Sequence, residues 1–206
     1  MLLIFATRFD AVTEQTFAIA QFLLDRVRPH SVDTVTLFEA LATEDRLVAA
    51  LPRRFQVVAF YSHGDEHGHI LTQQRMPCWQ RDRPPNLEGT AVFAHACRAM
   101  RWLADQMSEL RARLLVGYRI DLVTPPLGTN DFWTYYRDTH SFIPTQLLVG
   151  RATTAIRLEF YDLCTGYFHD LNRSNAGLIE LIAVQQSRDD VEFIVGQSSI
   201  HSPPGD

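Results

Sequence analysis

The sequence predicts an α/β protein: a three-layer sandwich with a mostly parallel central sheet flanked by helices. Two patterns carry that prediction. Short runs rich in Val, Ile, Leu and Phe, at 1–6, 32–37, 55–62 and 90–94, are too brief for helices and read as buried strands. Stretches with apolar residues at helical spacing separate the first three, and such a β-α-β-α-β order is the signature of a parallel sheet. Composition agrees, since 46% hydrophobic and 21% charged residues in a chain of 206 suit one domain with a full core.

The elements follow in order. Residues 1–6 form the first strand, and Thr7 to Asp10 the loop after it. Val12, Phe17, Ile19, Ala20, Leu23 and Leu24 mark one face of a helix that Pro29 stops. The β-branched alternation at 32–37 gives a second strand, 39–51 a second helix closed by Pro52, and 55–62 a third strand. After His63-Gly64, the polar turn 65–69 opens a small hairpin and then a surface loop that carries Arg75, Arg81, Arg83 and Pro84-Pro85. A fourth strand at 90–94 leads through His95-Ala96-Cys97 into a helix marked by Ala99, Trp102, Leu103, Met107 and Leu110. A strand at 113–121 follows, then an aromatic helix at 131–137 and a further helix that Pro144 opens and that runs to about 168. Residues 180–184 and 191–195 are expected to pair as a terminal hairpin. One domain is expected over 1–197, with 198–206 as a flexible tail.

Charge and cysteine usage narrow the function. A formal net charge of −5 argues against nonspecific binding of nucleic acid or of an anionic membrane surface. No apolar run approaches the roughly 18 residues of a membrane span, and the first six residues are too short for a signal-peptide core. Cys78, Cys97 and Cys164 are odd in number and far apart, so no disulfide framework is expected. A reducing, cytoplasmic setting follows.

The chemistry gathers where the third and fourth strands end. If these strands are parallel neighbours, about 5 Å apart, His63 and Cys97 emerge together at the carboxyl rim, where α/β sheets carry their sites. There His63 is suited to take the thiol proton and later to protonate a leaving amine. A following helix and Arg98 would favour a Cys97 thiolate. The Gly64 backbone N–H can approach a carbonyl oxygen closely, and with the Cys97 amide would form an oxyanion hole. Together these parts describe acyl transfer by a cysteine nucleophile.

His63-Gly64 after one hydrophobic strand and Ala96-Cys97 after the next resemble the caspase-haemoglobinase superfamily of cysteine peptidases. That group includes caspases, metacaspases, separases, gingipains and bacterial CHAT-type proteases. Gly68-His69-Ile70-Leu71, Leu87-Glu88-Gly89, Leu114 to Tyr118 and the segment from Gly150 to Ala155 extend the resemblance to most of the chain. It implies a caspase-like fold and an endopeptidase acting on a protein or peptide substrate, with no cofactor and no metal. It also implies control by limited proteolysis, a ligand or an activating protein partner, and a bacterial signalling or defence role. There are departures. His95-Ala96-Cys97-Arg98-Ala99 stands where caspases carry Gln-Ala-Cys-x-Gly, and His63 and Cys97 are 34 positions apart against about 50 in caspases. The shorter gap favours the CHAT-like branch. His95 holds a position that often lines the specificity pocket in that superfamily. Arg8 is a candidate partner for an acidic substrate residue, and Asp10 or Asp131 for a basic one.

Three other readings remain open. The caspase-like fold could be silenced and serve as an interaction protein. His63, His67 and His69 with a cysteine could hold zinc as a zinc-binding hydrolase, although Gly64 and Gly68 mark a turn and not a helical ligand face. A serine hydrolase is disfavoured, because no Gly-x-Ser-x-Gly occurs.

Overall fold

A computed structural model describes residues 1–80, 82–123, 131–174 and 176–196, with the side chain of Asp131 also outside the description. The expected tail at 198–206 and Arg81 lie outside the described residues. In chain order the elements are β1 (Leu2–Ala6), α1 (Ala11–Val27), β2 (Thr34–Phe38), α2 (Glu44–Ala50), β3 (Val57–Tyr61) and β4 (Ala91–His95). They continue with α3 (Ala99–Asp105), α4 (Met107–Leu110), β5 (Leu114–Tyr118), α5 (Asp131–Leu148), α6 (Thr153–Arg173), α7 (Leu178–Asp189) and β6 (Val191–Val195). The strands form one six-stranded sheet in the order β2-β1-β3-β4-β5-β6, parallel except for β6.

The strands are apolar throughout because both faces of the sheet are covered. Leu2, Ile4, Ala6, Val57, Ala59, Tyr61, Ala91 and Phe93 point to one side, against α1, α5, α6 and α7. The alternate residues Leu3, Phe5, Val58, Phe60, Val92 and Ala94 point to the other, against Leu47 of α2, Met100 and Leu103 of α3 and Leu110 of α4. This is the three-layer α/β sandwich that the sequence predicts.

The helix expected from Pro144 to about 168 is divided between α5 and α6, the one through Leu110 between α3 and α4, and two further differences have a clear physical cause. Residues 180–184 are not a strand: they lie inside α7, and β6 pairs with β5 instead, with Val116 opposite Phe193. The apolar residues of that segment are spaced for a helix whose Ala183 and Val184 pack into the core beside α6. The second difference is at Pro144, which reads in the sequence as a helix start but sits inside α5. A helical proline cannot donate to the carbonyl four residues back, here His140. That carbonyl accepts from the buried Tyr61 hydroxyl at 2.9 Å, so the helix runs through without an orphaned group. Tyr61→Phe should therefore cost about 1–3 kcal/mol. In urea unfolding, Pro144→Ala should cost less in the Tyr61→Phe background than alone, because alanine restores the missing donor. Strict additivity of the two substitutions would count against this compensation.

Candidate functional site

Register decides which side chains meet. β3 and β4 pair in parallel with Tyr61 beside His95, and the Ser62 amide continues the ladder to the His95 carbonyl at 3.3 Å. Two residues further on, His63 and Cys97 leave the same rim side by side. The loops that carry them are in backbone contact. A Cβ on Gly64 would stand 1.6 Å from the Cys97 carbonyl oxygen, and one on Gly68, at φ +85°, 2.4 Å from the Arg98 carbonyl oxygen. Only glycine permits that approach. Among the described residues, no hydrogen bond to an oxygen is made by the Gly64 or the Cys97 amide.

His63 is held from the side away from β4. Its Nε2 lies 3.0 Å from Asp10 Oδ2, and its ring sits 5.5 Å from that of Phe9. Asp10 also caps α1, accepting from the Thr13 amide at 2.9 Å. Partial burial raises the Asp10 carboxyl, but the Thr13 amide and hydroxyl together with His63 outweigh it, and the net direction is down. The carboxylate is therefore ionised beside the ring. This arrangement straddles the place where strand order reverses, between β1 and β3, the switch point at which α/β sheets bind ligands.

Cys97 is half-buried. Its sulfur accepts from the Leu122 N–H at 3.3 Å, and no hydrogen bond joins it to His63 among the described residues. Burial pushes the thiol above its ordinary value, and the Asp121 carboxylate adds to this. The Leu122 amide, the Arg98 guanidinium and the amide of Cys97 itself pull the other way without cancelling it. The expected help from a helix is small, since α3 has seven residues and Arg98, not Cys97, stands at its cap with φ 57°. Arg98 is tied to Asp121 in an ion pair. At rest Cys97 is thus a protonated thiol. The segment above it is fastened down: Arg98 N–H donates to Ile120 O at 2.9 Å and Val123 N–H to Gln186 Oε1 of α7 at 2.9 Å.

No family model matches the chain, and no curated protein matches it. Among solved structures, a flavodoxin of Streptococcus pneumonia TIGR4 is similar to 68% of this chain and covers 94% of its own, at 10% identity and a TM-score of 0.41. A likeness that distant carries no argument about family or function.

The remaining candidates fall into place separately. Arg8 is paired with Glu14 at 2.7 Å and Glu39 at 3.4 Å, and all three side chains are exposed. Asp10 faces His63, with its side chain 36% exposed. His95, expected near a specificity pocket, is 1% exposed and turns into the core, its ring 4.2 Å from that of His140. Strand alternation sends it there, on the same side as Tyr61. Asp131 opens α5, and its side chain lies outside the described residues. His69 is bonded to Asp65 at 2.8 Å and packs edge-on against Trp102, and among the described residues no three His, Cys, Asp or Glu side chains converge as metal ligands. Cys78 and Cys164 are buried. The contact that sequence reading does not supply is the one between Asp10 and His63. Its signal is a helix-cap Asp on the loop after β1, whose relation to His63 depends on β1 lying beside β3.

Proposed function

We propose that this chain is a cysteine endopeptidase that hydrolyses peptide bonds in a protein substrate with Cys97 as nucleophile and His63 as general base and acid. The observation that carries the reading is the interlocked rim, where Gly64 lies so close to the Cys97 carbonyl that His63 and Cys97 are held side by side. His63 takes the Sγ proton as the sulfur attacks the substrate carbonyl, and the carbonyl oxygen becomes an oxyanion between the Gly64 and Cys97 amides. The imidazolium then protonates the leaving amine, giving a thioester on Cys97. Water, deprotonated by His63, attacks that thioester and releases the acid and the free thiol. Every step uses side chains and amides of this chain, and none requires a cofactor.

The resemblance to CHAT-type and caspase-like proteases extends the reading to a bacterial, cytoplasmic protein of a signalling or defence pathway. Among the described residues no helix is long and apolar enough to cross a membrane. A second reading has an observation of its own. The neutral thiol, tied to the Leu122 amide and without a bond to His63, is what a silenced caspase-like interaction protein, or a peptidase awaiting a partner, would display. Cleavage of a peptide library separates the two. Wild-type protein should cleave, and Cys97→Ala should keep the fold while losing at least about 10³-fold in rate. Equal turnover by both would end the peptidase reading. No turnover by either, with or without limited proteolysis, would leave the silenced fold as the better account.

A further inference from the structure

We infer that Asp10 is a positioning residue for His63, which turns the pair at the rim into a Cys97–His63–Asp10 triad. This rests on the peptidase reading above. A neutral imidazole carries one proton, and the nitrogen that holds it is set by the partner of that nitrogen. Here Nε2 lies 3.0 Å from the Asp10 carboxylate, which can only accept. The proton therefore sits on Nε2, and Nδ1 keeps the lone pair that must receive the Cys97 proton. Were the tautomer reversed, the nitrogen left for the thiol would already hold a proton.

The carboxylate also acts later in the cycle. Once the Sγ proton has moved to Nδ1, the ring carries a positive charge beside Asp10, which stays ionised throughout. That pairing stabilises the imidazolium that accompanies the thiolate, and it disappears when Nδ1 gives its proton to the leaving amine. Asp10 moves no proton, so its part is orientation and charge stabilisation.

The loop that bears Asp10 is built to hold this distance. The Thr7 amide donates to the Tyr61 carbonyl at 3.2 Å, and the Thr7 and Ser62 hydroxyls are 2.9 Å apart. Gln73, on the loop after His63, clasps the Arg8 backbone from both sides: Arg8 N–H donates to Oε1 at 2.8 Å, and Nε2 donates to Arg8 O at 2.8 Å. Phe9 packs against the His63 ring, and the Arg75 guanidinium lies 4.8 Å above the Phe9 ring. Four consecutive residues, Thr7 to Asp10, are thus tied to the loop of His63 or to its ring. A helix cap alone would need only the Asp10–Thr13 bonds.

The double duty of Asp10 makes the test sharp. Serine is as good a cap as aspartate but is too short to reach Nε2. Asparagine caps equally well, and its amide oxygen still accepts from Nε2–H, yet it has no charge. Side-chain ¹⁵N shifts of His63 should show the Nε2–H tautomer in wild type and in Asp10→Asn, and a mixture in Asp10→Ser. In peptide cleavage, kcat should fall by roughly 10²-fold in both variants with KM little changed, and further in Asp10→Ser. Thermal unfolding of both should stay near wild type, because the cap is kept. Unchanged His63 shifts in Asp10→Ser would overturn the inference. So would an Asp10→Ser enzyme with wild-type kcat, as a cap-only role requires. The shift measurement needs no turnover, so it still decides the role of Asp10 if no peptide is cleaved and the peptidase reading itself fails.

Discussion

Gly64→Ala is expected to destabilise the protein by about 4 kcal/mol and to abolish whatever chemistry Cys97 performs. The added methyl would stand 1.6 Å from the Cys97 carbonyl oxygen, 2.7 Å from its carbonyl carbon and 3.1 Å from its nitrogen. All three are backbone atoms, so no side chain can rotate away. Relief requires the loop after β3 to part from the loop after β4, which separates His63 from Cys97. Gly166→Ala is the matching control. That glycine lies in α6 with nothing within 4 Å of the added carbon, and a helical alanine there should stabilise by up to about 1 kcal/mol. Urea unfolding of the two variants gives the comparison. A Gly64→Ala protein within about 1 kcal/mol of wild type would mean that the loops are not in contact, and the case for a shared site would fall with it.

The same contact shows how far the sequence can be read. Two apolar runs ending at His63 and Cys97 are enough to expect parallel neighbours, because a strand pair needs little more than buried β-branched and aromatic residues. Register then places Tyr61 beside His95 and puts the imidazole and thiol on one rim. What escapes is set by distant partners. Residues 180–184 make a short apolar run that fits a strand as well as a buried helix, and packing against α6 decides for the helix. Pro144 looks like a helix start until Tyr61, far back in the chain, is seen to satisfy the carbonyl it orphans. Asp10 reads as a loop residue and a candidate partner for a basic substrate residue, and its contact with His63 is visible only once β1 and β3 are known to be adjacent. In each case local chemistry leaves two answers, and a contact remote in sequence selects one.

Acid should unfold this protein in two distinguishable stages, the first driven by the pair of buried histidines His95 and His140. His95 and His140 are 1% and 0% exposed, with rings 4.2 Å apart among Tyr61, Tyr118 and Tyr136. The Ser187 hydroxyl donates to the Ala183 carbonyl and so accepts from His140 Nε2–H at 3.1 Å, which fixes that ring as a neutral tautomer. Neither nitrogen of His95 has a partner among the described residues. Burial holds the His95 imidazole down at about 3 and pushes His140 well below the ordinary value, with His95 adding to the second shift. Both rings are therefore neutral in the folded chain, whereas in the unfolded chain each binds a proton near the ordinary 6.5. The unfolded state holds more protons, so stability rises with pH. The contribution is complete above about pH 6.5 and drains away as pH falls toward about 3, at up to roughly 1.4 kcal/mol per pH unit for each ring. For His95 alone the total is about 5 kcal/mol. The carboxylates come later, since Asp10 and Asp65 have folded values lowered from 3.8, and their stabilisation is lost only as pH drops through that range. Between about pH 6 and about pH 4.5 the histidines should dominate the slope. Urea unfolding across that window should show a steep slope in wild type and about half of it in His95→Phe, which removes one titrating ring and its two unpartnered nitrogens. An equal slope in both proteins would mean that His95 is protonated in the folded state, which its apolar and aromatic surroundings do not allow.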